Sequence, residues 1–269
     1  MRSISTAQLG VDVAAVAAMS VAIAFVSDRP GVMWTVLGVV LVLRFVAWAQ
    51  LHRERSIAAE LVFFTLCTVV GAFNDWNTVV VHEVYTYAVP AELPAVSSIP
   101  IWMLVYWGVI LRLVFALTRW QKLAPPEAPS DRVGNRRSVA LKLLCIGAVT
   151  LSTRLAIYAF FESALWSWLP FAIGLGLYAL VTRAGAHDLR LAAIAVVVGP
   201  LAEIFYIQVG SLHAYGLGWF GGVPLWIVLW WVLSVWIWKD LGMRAHTVIE
   251  HVFAVREPQS ASTQKRWIS

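Results

Sequence analysis

Long apolar runs alternate with short polar links along this chain. Eight such runs occur, each of about 20 residues, which is the length that crosses a bilayer as an α-helix. They cover residues 7–27, 31–51, 57–81, 99–118, 139–160, 164–183, 188–210 and 223–241. The pattern predicts an all-α polytopic membrane protein with eight transmembrane helices and argues against a soluble domain.

The charged residues of the links predict the orientation of the chain. Lys and Arg are concentrated in the links after the second, fourth and sixth runs, whereas the links that hold Glu83, Glu92 and Glu162 contain neither. By the positive-inside rule, both termini are cytoplasmic and residues 82–98, 161–163 and 211–222 face outward in a cell membrane. The net charge of +5 therefore reflects the basic residues that orient the chain in the membrane, and it predicts no nucleic-acid partner.

The first apolar run has an alternative interpretation as a cleaved signal peptide, because MRSIS precedes an Ala/Val-rich core. Its removal would leave seven spans and would move the basic C-terminal tail to the outer side. The eight-span interpretation is therefore preferred.

The link of residues 122–138 is the Pro-rich, polar stretch in the middle of the chain. It predicts a cytoplasmic linker between a first four-helix unit, residues 1–121, and a second, residues 139–241. Residues 242–269 are predicted to form a cytoplasmic tail that is disordered at its end.

The two units contain related sequences. SIPIWMLVYWG, residues 98–108, matches GVPLWIVLWWV, residues 222–232, at an offset of 124. Upstream the offset is 128, and it pairs Gly71 with Gly199, Asp75 with Glu203, Tyr85 with His213 and Tyr87 with Tyr215. These matches predict an internal duplication. With four spans in each unit, the two would form parallel repeats about an axis along the membrane normal.

Aromatic residues follow a proline in both copies of this motif. Proline suits the first helical turn, and Trp near that end suits the interface. Trp226 and Trp230 share one helix face, as do Trp102 and Tyr106. Such a stripe is either core packing or the wall of a binding pocket, and the neighbouring residues decide between them.

Among the acidic residues within the apolar runs, two occupy equivalent positions of the two predicted repeats. Asp75 and Glu203 are each about 10 Å from the outer end of a predicted helix. Ionisable groups in a bilayer are candidate functional residues that face the bundle interior. Arg154 lies at a similar depth and is predicted to be their charge partner, while Arg44 and Glu60 are predicted to pair near the cytoplasmic side.

A carboxyl group in an apolar, aromatic pocket is suited to acid catalysis. It can keep its proton at neutral pH and protonate a carbon–carbon double bond, and aromatic faces would stabilise the resulting carbocation. Attack by water would make the enzyme a hydratase, and attack by a second alkene would make it a cyclase. Asp75 and Glu203 are the predicted acids. The predicted substrate-binding residues are Tyr87, Trp102, Tyr106, His213, Tyr215, Trp226 and Trp230.

Other catalytic motifs are missing from the sequence. The six His residues form no pairs three or four residues apart, and Cys67 and Cys145 lie in apolar runs, so we predict no metal site and no disulfide. Nucleotide-binding loops and the GxSxG motif are also absent. We therefore predict no cofactor, and a membrane lipid or isoprenoid as the partner molecule.

The segment GPLAEIFYIQVGSLHAYGLGWFGGVPLWIVLWW, residues 199–231, resembles the integral-membrane carotenoid-biosynthesis family that includes carotenoid hydratases. The resemblance is carried by Gly199, Glu203, Gly210, Tyr215, Val223, Pro224, Leu225 and Trp231. It implies an enzyme that acts on terminal isoprenoid double bonds. Residues 71–108 share it more loosely. A second, weaker resemblance is to small membrane terpene cyclases, which also use buried carboxyl groups.

Two other functional classes remain open. Parallel repeats with charges near the membrane midplane are common in transporters, which would need coupling ions and an open water pathway. A scaffold protein would use the aromatic faces to bind other membrane subunits. An enzyme would instead have a closed apolar pocket with a carboxyl group at its end. The sequence does not determine the oligomeric state.

Overall fold

The computed structural model describes residues 4–52, 56–123 and 136–254 of the 269-residue chain. These residues are mostly helical and contain eight α-helices. They are α1 (Thr6–Val26), α2 (Pro30–Leu51), α3 (Ile57–Trp76), α4 (Ile101–Thr118), α5 (Arg136–Phe160), α6 (Leu169–Thr182), α7 (Ala186–Gln208) and α8 (Leu225–Ala254). A π-helical turn, Asn77–Val81, prolongs α3, and a 3-10 turn, Gln121–Leu123, follows α4.

Local sequence signals explain where several helices begin. Ser5 caps α1 together with Gln8 in a capping box, and Ser56 caps α3. Proline opens α2 and occupies the first turn of α6, where its missing N–H needs no partner. Pro100 is the N-cap of α4.

Seven of the helices are long and apolar enough to cross a membrane. The prediction for the sixth run, residues 164–183, is wrong in length, because α6 is only 14 residues long and residues 161–168 form turns. Pro170 fixes the helix start near Leu169. The eighth helix continues 13 residues past the predicted end at 241, to Ala254. Most of the predicted linker and the rest of the predicted tail lie outside the described residues.

The helices α4 and α8 form the centre of the bundle. Within its most apolar stretch, α4 is 67% buried and α8 is 56% buried, against 22–33% for the other five long helices. The two proline-started, Trp-rich helices are therefore the core of the molecule. Each packs tightly on the preceding long helix, α4 on α3 and α8 on α7.

Glycine permits the close approach at both of these helix contacts. A Cβ added at Gly71 would lie 2.5 Å from Cβ of Trp107, and one added at Gly199 would lie 2.3 Å from Cγ of Trp231. Neither distance is compatible with a side chain. The indoles of α4 and α8 therefore rest directly on the backbones of α3 and α7.

Two short strands connect the halves of the chain outside the helices. Strand β1 (Tyr85–Tyr87) pairs antiparallel with β2 (His213–Tyr215), with Tyr85 opposite Tyr215, and Tyr87 opposite His213. The prediction contained no strands. Ser27 Oγ donates to the Gly210 carbonyl at the same end of the bundle.

At the opposite end of the bundle, other links contact one another. Ile4 bridges Trp120, and the His187 ring lies 3.1 Å from the Thr118 carbonyl oxygen. Ile4, the link after α4 and the start of α7 therefore meet at this end.

A buried network of four charges crosses α1 to α4. Arg44 binds Asp12 and Glu60, as does Arg112, and all four side chains are at most 5% exposed. The predicted pair of Arg44 and Glu60 is confirmed. Asp12 and Arg112 were not predicted to belong to this network.

Candidate functional site

Asp75 is fully buried on α3 and is held by two tyrosines of β1. The Tyr85 hydroxyl donates to Oδ1, and the Tyr87 hydroxyl donates to Oδ2 at 2.8 Å. These tyrosines alternate with Thr86 along the strand, so their side chains lie on one face. Both oxygens of Asp75 are thus occupied by protein hydroxyls.

Glu203 has the equivalent arrangement on α7. His213 Nε2 lies 2.9 Å from Oε2, and the Tyr215 hydroxyl donates to the same oxygen at 3.3 Å. No described residue hydrogen-bonds to Oε1. His213 Nδ1 is buried and also has no partner among the described residues.

The strand pair brings the aromatic residues around Asp75 and Glu203 together in one cluster. The Tyr85 ring is 5.1 Å from that of Tyr215 and 5.5 Å from that of His213. Burial, and then the neighbouring carboxylates, raise the pKa values of Tyr85, Tyr87 and Tyr215 well above the ordinary value. The three hydroxyls therefore stay protonated and act as donors to Asp75 and Glu203.

A cavity of about 130 Å³, which we call the Glu203 cavity, ends at this cluster. Its polar lining consists of Glu203, His213 and four tyrosines, Tyr85, Tyr87, Tyr206 and Tyr215. The rest of its wall is almost entirely apolar and comes from α1, α4, α7 and α8, with residues such as Met103, Leu117 and Ile194. Val198 in its wall is 58% exposed, so the cavity opens at the side of the bundle.

A second cavity, which we call the Arg154 cavity, lies between α3, α4, α5 and α8 and has a volume of about 400 Å³. Arg154 and Asn74 form its polar end, and the Arg154 guanidinium donates to Oδ1 of Asn74 and faces the Trp230 ring at 5.6 Å. This hydrogen bond goes to Asn74, and neither Asp75 nor Glu203 forms an ion pair with Arg154. The predicted charge partnership of Arg154 with these two carboxyl groups stays a prediction, and it would act over a longer range than an ion pair.

A small void of about 20 Å³ lies between the two cavities. Glu203 and Tyr215 line one side, and Arg154 and Asn74 line another. Its volume is sufficient for one water molecule, and its lining supplies several polar partners.

The structure separates the residues that the sequence predicted as one site. Glu203, Tyr87, His213 and Tyr215 line the Glu203 cavity, whereas Asp75 lines none of these three spaces. Trp226 and Trp230 line the small void. Trp226 also packs edge-on against Tyr215, with ring centroids 5.7 Å apart.

Trp102 and Tyr106 are core residues rather than walls of these cavities. Both are fully buried. The Tyr106 hydroxyl hydrogen-bonds to that of Tyr206 at 2.9 Å, and Ser20 Oγ also lies 2.9 Å from Tyr206. Tyr206 does line the Glu203 cavity, so Tyr106 acts on the cavity wall through it.

Sequence reasoning missed three residues of the site: Asn74, Tyr206 and Ser20. Tyr206 lies three residues after Glu203, within one helical turn on the same side, and that spacing was the available signal. Ser20 and Asn74 have partners on distant helices, and no local pattern reveals these contacts.

Within the described residues there is no group of three or more His, Cys, Asp or Glu side chains that could hold a metal ion. No protein-family model, curated protein or solved structure matches this chain.

Proposed function

We propose that this chain is an integral membrane enzyme that protonates a carbon–carbon double bond of an isoprenoid-like substrate, with Glu203 as the acid. One observation carries the proposal. A carboxyl group with a free oxygen closes an apolar cavity that opens at the side of the helix bundle. An apolar substrate dissolved in the bilayer could enter this cavity without crossing water.

The membrane setting is supported by the outer surface of the bundle. Seven apolar helices have spanning length, and large apolar side chains such as Phe25, Leu144 and Leu180 are 69–76% exposed. A water-soluble surface rarely carries so much exposed apolar area. The positive-inside pattern assigns the strand pair to the outer side and both termini to the cytoplasm.

A parallel repeat of two four-helix units is part of the proposal. It is supported by contacts that recur at the sequence offset. Asp75 with Tyr87 corresponds to Glu203 with Tyr215, and Gly71 with Trp107 corresponds to Gly199 with Trp231. Several wall residues of the Glu203 cavity likewise have equivalents in the Arg154 cavity, such as Ile194 for Leu66 and Leu117 for Leu241.

The proposed reaction begins with proton transfer from Oε1 of Glu203 to one alkene carbon, which leaves a carbocation on the other carbon. Hydrogen bonds from His213 and Tyr215 to Oε2 stabilise the carboxylate that forms. The faces of Tyr85 and Tyr215 line the same end and favour a cation there.

Hydration is the outcome that the small void favours. A water molecule in the void would lie beside Glu203 and opposite the alkene in the cavity. Its oxygen attacks the carbocation, and the proton that it loses returns to Oε1. The product is an alcohol, one water molecule is consumed, and the acid is regenerated. Cyclisation, in which a second double bond attacks, is the alternative outcome.

Asp75 has a different proposed role from Glu203. Both of its oxygens are bound by tyrosines of β1, so it positions the strand that forms the roof of the cavity. The sequence predicted both carboxyl groups as acids. The proposal keeps Glu203 as the acid and makes Asp75 a positioning residue.

A transporter or scaffold remains the alternative function. The wall composition favours the enzyme, because the Glu203 cavity is apolar except at its closed end, whereas an ion-coupled transporter needs a hydrated path.

The test is expression of variants in a bacterium that makes acyclic carotenoids and other isoprenoids, followed by mass spectrometry of the extracted lipids. The wild type should produce a species heavier than its precursor by one water, or an isomer if the reaction is a cyclisation. Glu203→Gln should lower product formation about 10²- to 10⁴-fold, as loss of a general acid does. Asp75→Asn should lower it less.

Asp28→Asn is the matched control, because the Asp28 side chain is 71% exposed at the same end of the bundle. It should leave product formation unchanged. An unaltered product profile in Glu203→Gln, at equal protein level, would refute acid catalysis by this residue.

A further inference from the structure

We propose that the Arg154 cavity binds a single-chain anionic amphiphile, with a phosphate or carboxylate head against Arg154 and an apolar chain along α8. This site is separate from the proposed reaction, and it does not depend on proton transfer from Glu203. It depends on the charge, shape and openness of the second cavity.

No acidic residue of the described chain forms an ion pair with Arg154, and Asp75 acts on its charge only at longer range. The guanidinium hydrogen-bonds to the Asn74 amide and to the Tyr158 hydroxyl, and it faces the Trp230 ring. By contrast, Arg44 and Arg112 are ion-paired with Asp12 and Glu60, and Lys239 with Asp188. A buried charge without an ion pair is costly, so an anionic ligand would supply the direct partner that the described chain does not.

Thr150 provides a second polar group for such a head. It lies four residues before Arg154, on the same face of α5, and it lines the same cavity. Its Oγ1 is buried and has no hydrogen-bond partner among the described residues. A phosphate or carboxylate oxygen would accept from this hydroxyl while another oxygen accepts from the guanidinium.

The shape of the cavity suits a chain rather than a compact molecule. Along α8 its lining extends from Trp230 to Ala245, which corresponds to about 22 Å at the rise of an α-helix. Leu66 and Ile237 line this length. Val70 and Leu241 are 38% and 36% exposed, so the chain can enter sideways from the bilayer.

The chemistry of the polar end distinguishes this cavity from the Glu203 cavity. Several pairs of residues at the sequence offset are apolar in both walls, as with Val70 and Val198. At the ends they differ, because Asn74 of the Arg154 cavity corresponds to Ala202 of the other. One cavity ends in a carboxyl group and the other in a guanidinium, so the two select ligands of different charge.

The test is ligand binding to the full chain in a neutral detergent, measured by native mass spectrometry titration. Oleate probes the carboxylate head, oleoyl lysophosphatidate the phosphate head, and monoolein is the neutral probe with the same chain. One or both anions should bind at one site, and monoolein should bind at least tenfold more weakly. Which anion binds more tightly identifies the head group. Equal binding of monoolein and both anions would overturn the proposal.

Variants assign the binding to Arg154. Arg154→Gln should weaken binding of the preferred anion at least tenfold, and Arg154→Lys should restore most of it. Lys142→Gln removes a charge from the same helix away from the cavity and should have no effect. If Arg154→Gln does not fold, Thr150→Val, which keeps the shape and the charge, should still weaken binding several-fold. Wild-type affinity in a folded Arg154→Gln or in Thr150→Val refutes the site.

Glu203→Gln separates this inference from the proposed reaction. It should abolish product formation and leave anion binding unchanged. Loss of anion binding in this variant would contradict an anion site that does not depend on Glu203.

Discussion

Thr86 lies directly opposite Ala214 in the antiparallel strand pair. These residues are separated by the same offset as Asp75 and Glu203. A two-fold axis between them therefore exchanges Tyr85 with His213 and Tyr87 with Tyr215. The pairing that joins the two halves thus agrees in register with the matches found in the sequence.

This register predicts a specific crosslink. Opposed Cα atoms in antiparallel strands are about 4.5–5.5 Å apart, which suits a disulfide. The double variant Thr86→Cys with Ala214→Cys, in a background with Cys67→Ala and Cys145→Ala, should form an intramolecular disulfide under mild oxidation. Mass spectrometry of proteolytic fragments detects it. Thr86→Cys with Gly216→Cys, displaced by two residues, should crosslink much less. Equal crosslinking of both pairs would contradict the register.

The predicted orientation of the chain can be tested by cysteine labelling. Thr86 and Lys122 are exposed near opposite ends of the bundle. In intact spheroplasts, a membrane-impermeant maleimide should label Thr86→Cys, and it should label Lys122→Cys only after permeabilisation. The reverse pattern would place both termini outside. Labelling of both residues in intact spheroplasts would contradict a bundle that spans the membrane.

The close contact of Gly199 with Trp231 predicts a destabilised variant. A Cβ at residue 199 would lie 2.3 Å from the indole, so Gly199→Ala must displace α8 from α7. Such overpacking costs about 1–3 kcal/mol, and thermal unfolding in detergent should occur at a lower temperature. Gly38→Ala is the control, because nothing lies within 4 Å of the added Cβ. It should be neutral or stabilise α2 by up to about 1 kcal/mol.

The four-charge network predicts a large effect for a single change. Arg44→Met leaves Asp12 and Glu60 with one arginine between them, and loss of one partner from a buried network costs about 3–5 kcal/mol. The double variant with Glu60→Met restores charge balance and should recover part of this loss. Arg29→Met, at a side chain 67% exposed, should change stability by at most about 0.5 kcal/mol. The comparison again uses thermal unfolding in detergent.

Apolar patterning predicted the long helices well, because a helix that spans a bilayer needs only sufficient length and an apolar composition. It failed for α6, where Ala164 to Trp168 are mostly apolar but fold as turns before Pro170. It also missed the end of α8, because residues 242–254 are less apolar yet contain no proline to stop the helix.

The internal sequence match indicated more of the candidate site than hydropathy did. It pointed to Glu203, His213 and Tyr215, since each matches a residue of the first half at an offset of 128. The strands themselves were not predicted, because three-residue strands carry too little local signal and depend on a partner far along the chain. The alternation of Tyr85 and Tyr87, repeated in His213 and Tyr215, was the signal that was present.

Arg154 illustrates what the sequence could not provide. Its depth indicated a functional or structural partner, and a carboxyl group was the expected one. The structure gives it Asn74, a residue whose neighbour Asp75 drew attention in the sequence. Which of two adjacent residues faces another helix depends on the crossing of α3 and α5, and one sequence does not specify that crossing.

Trp107 and Trp231 line both the Glu203 cavity and the Arg154 cavity, so the two indoles form a partition between them. An indole that tilts toward one cavity makes that cavity smaller and the other one larger. The sizes of the two cavities are therefore linked through these two side chains. A change that adapts one cavity to a larger occupant must be tolerated by the occupant of the other.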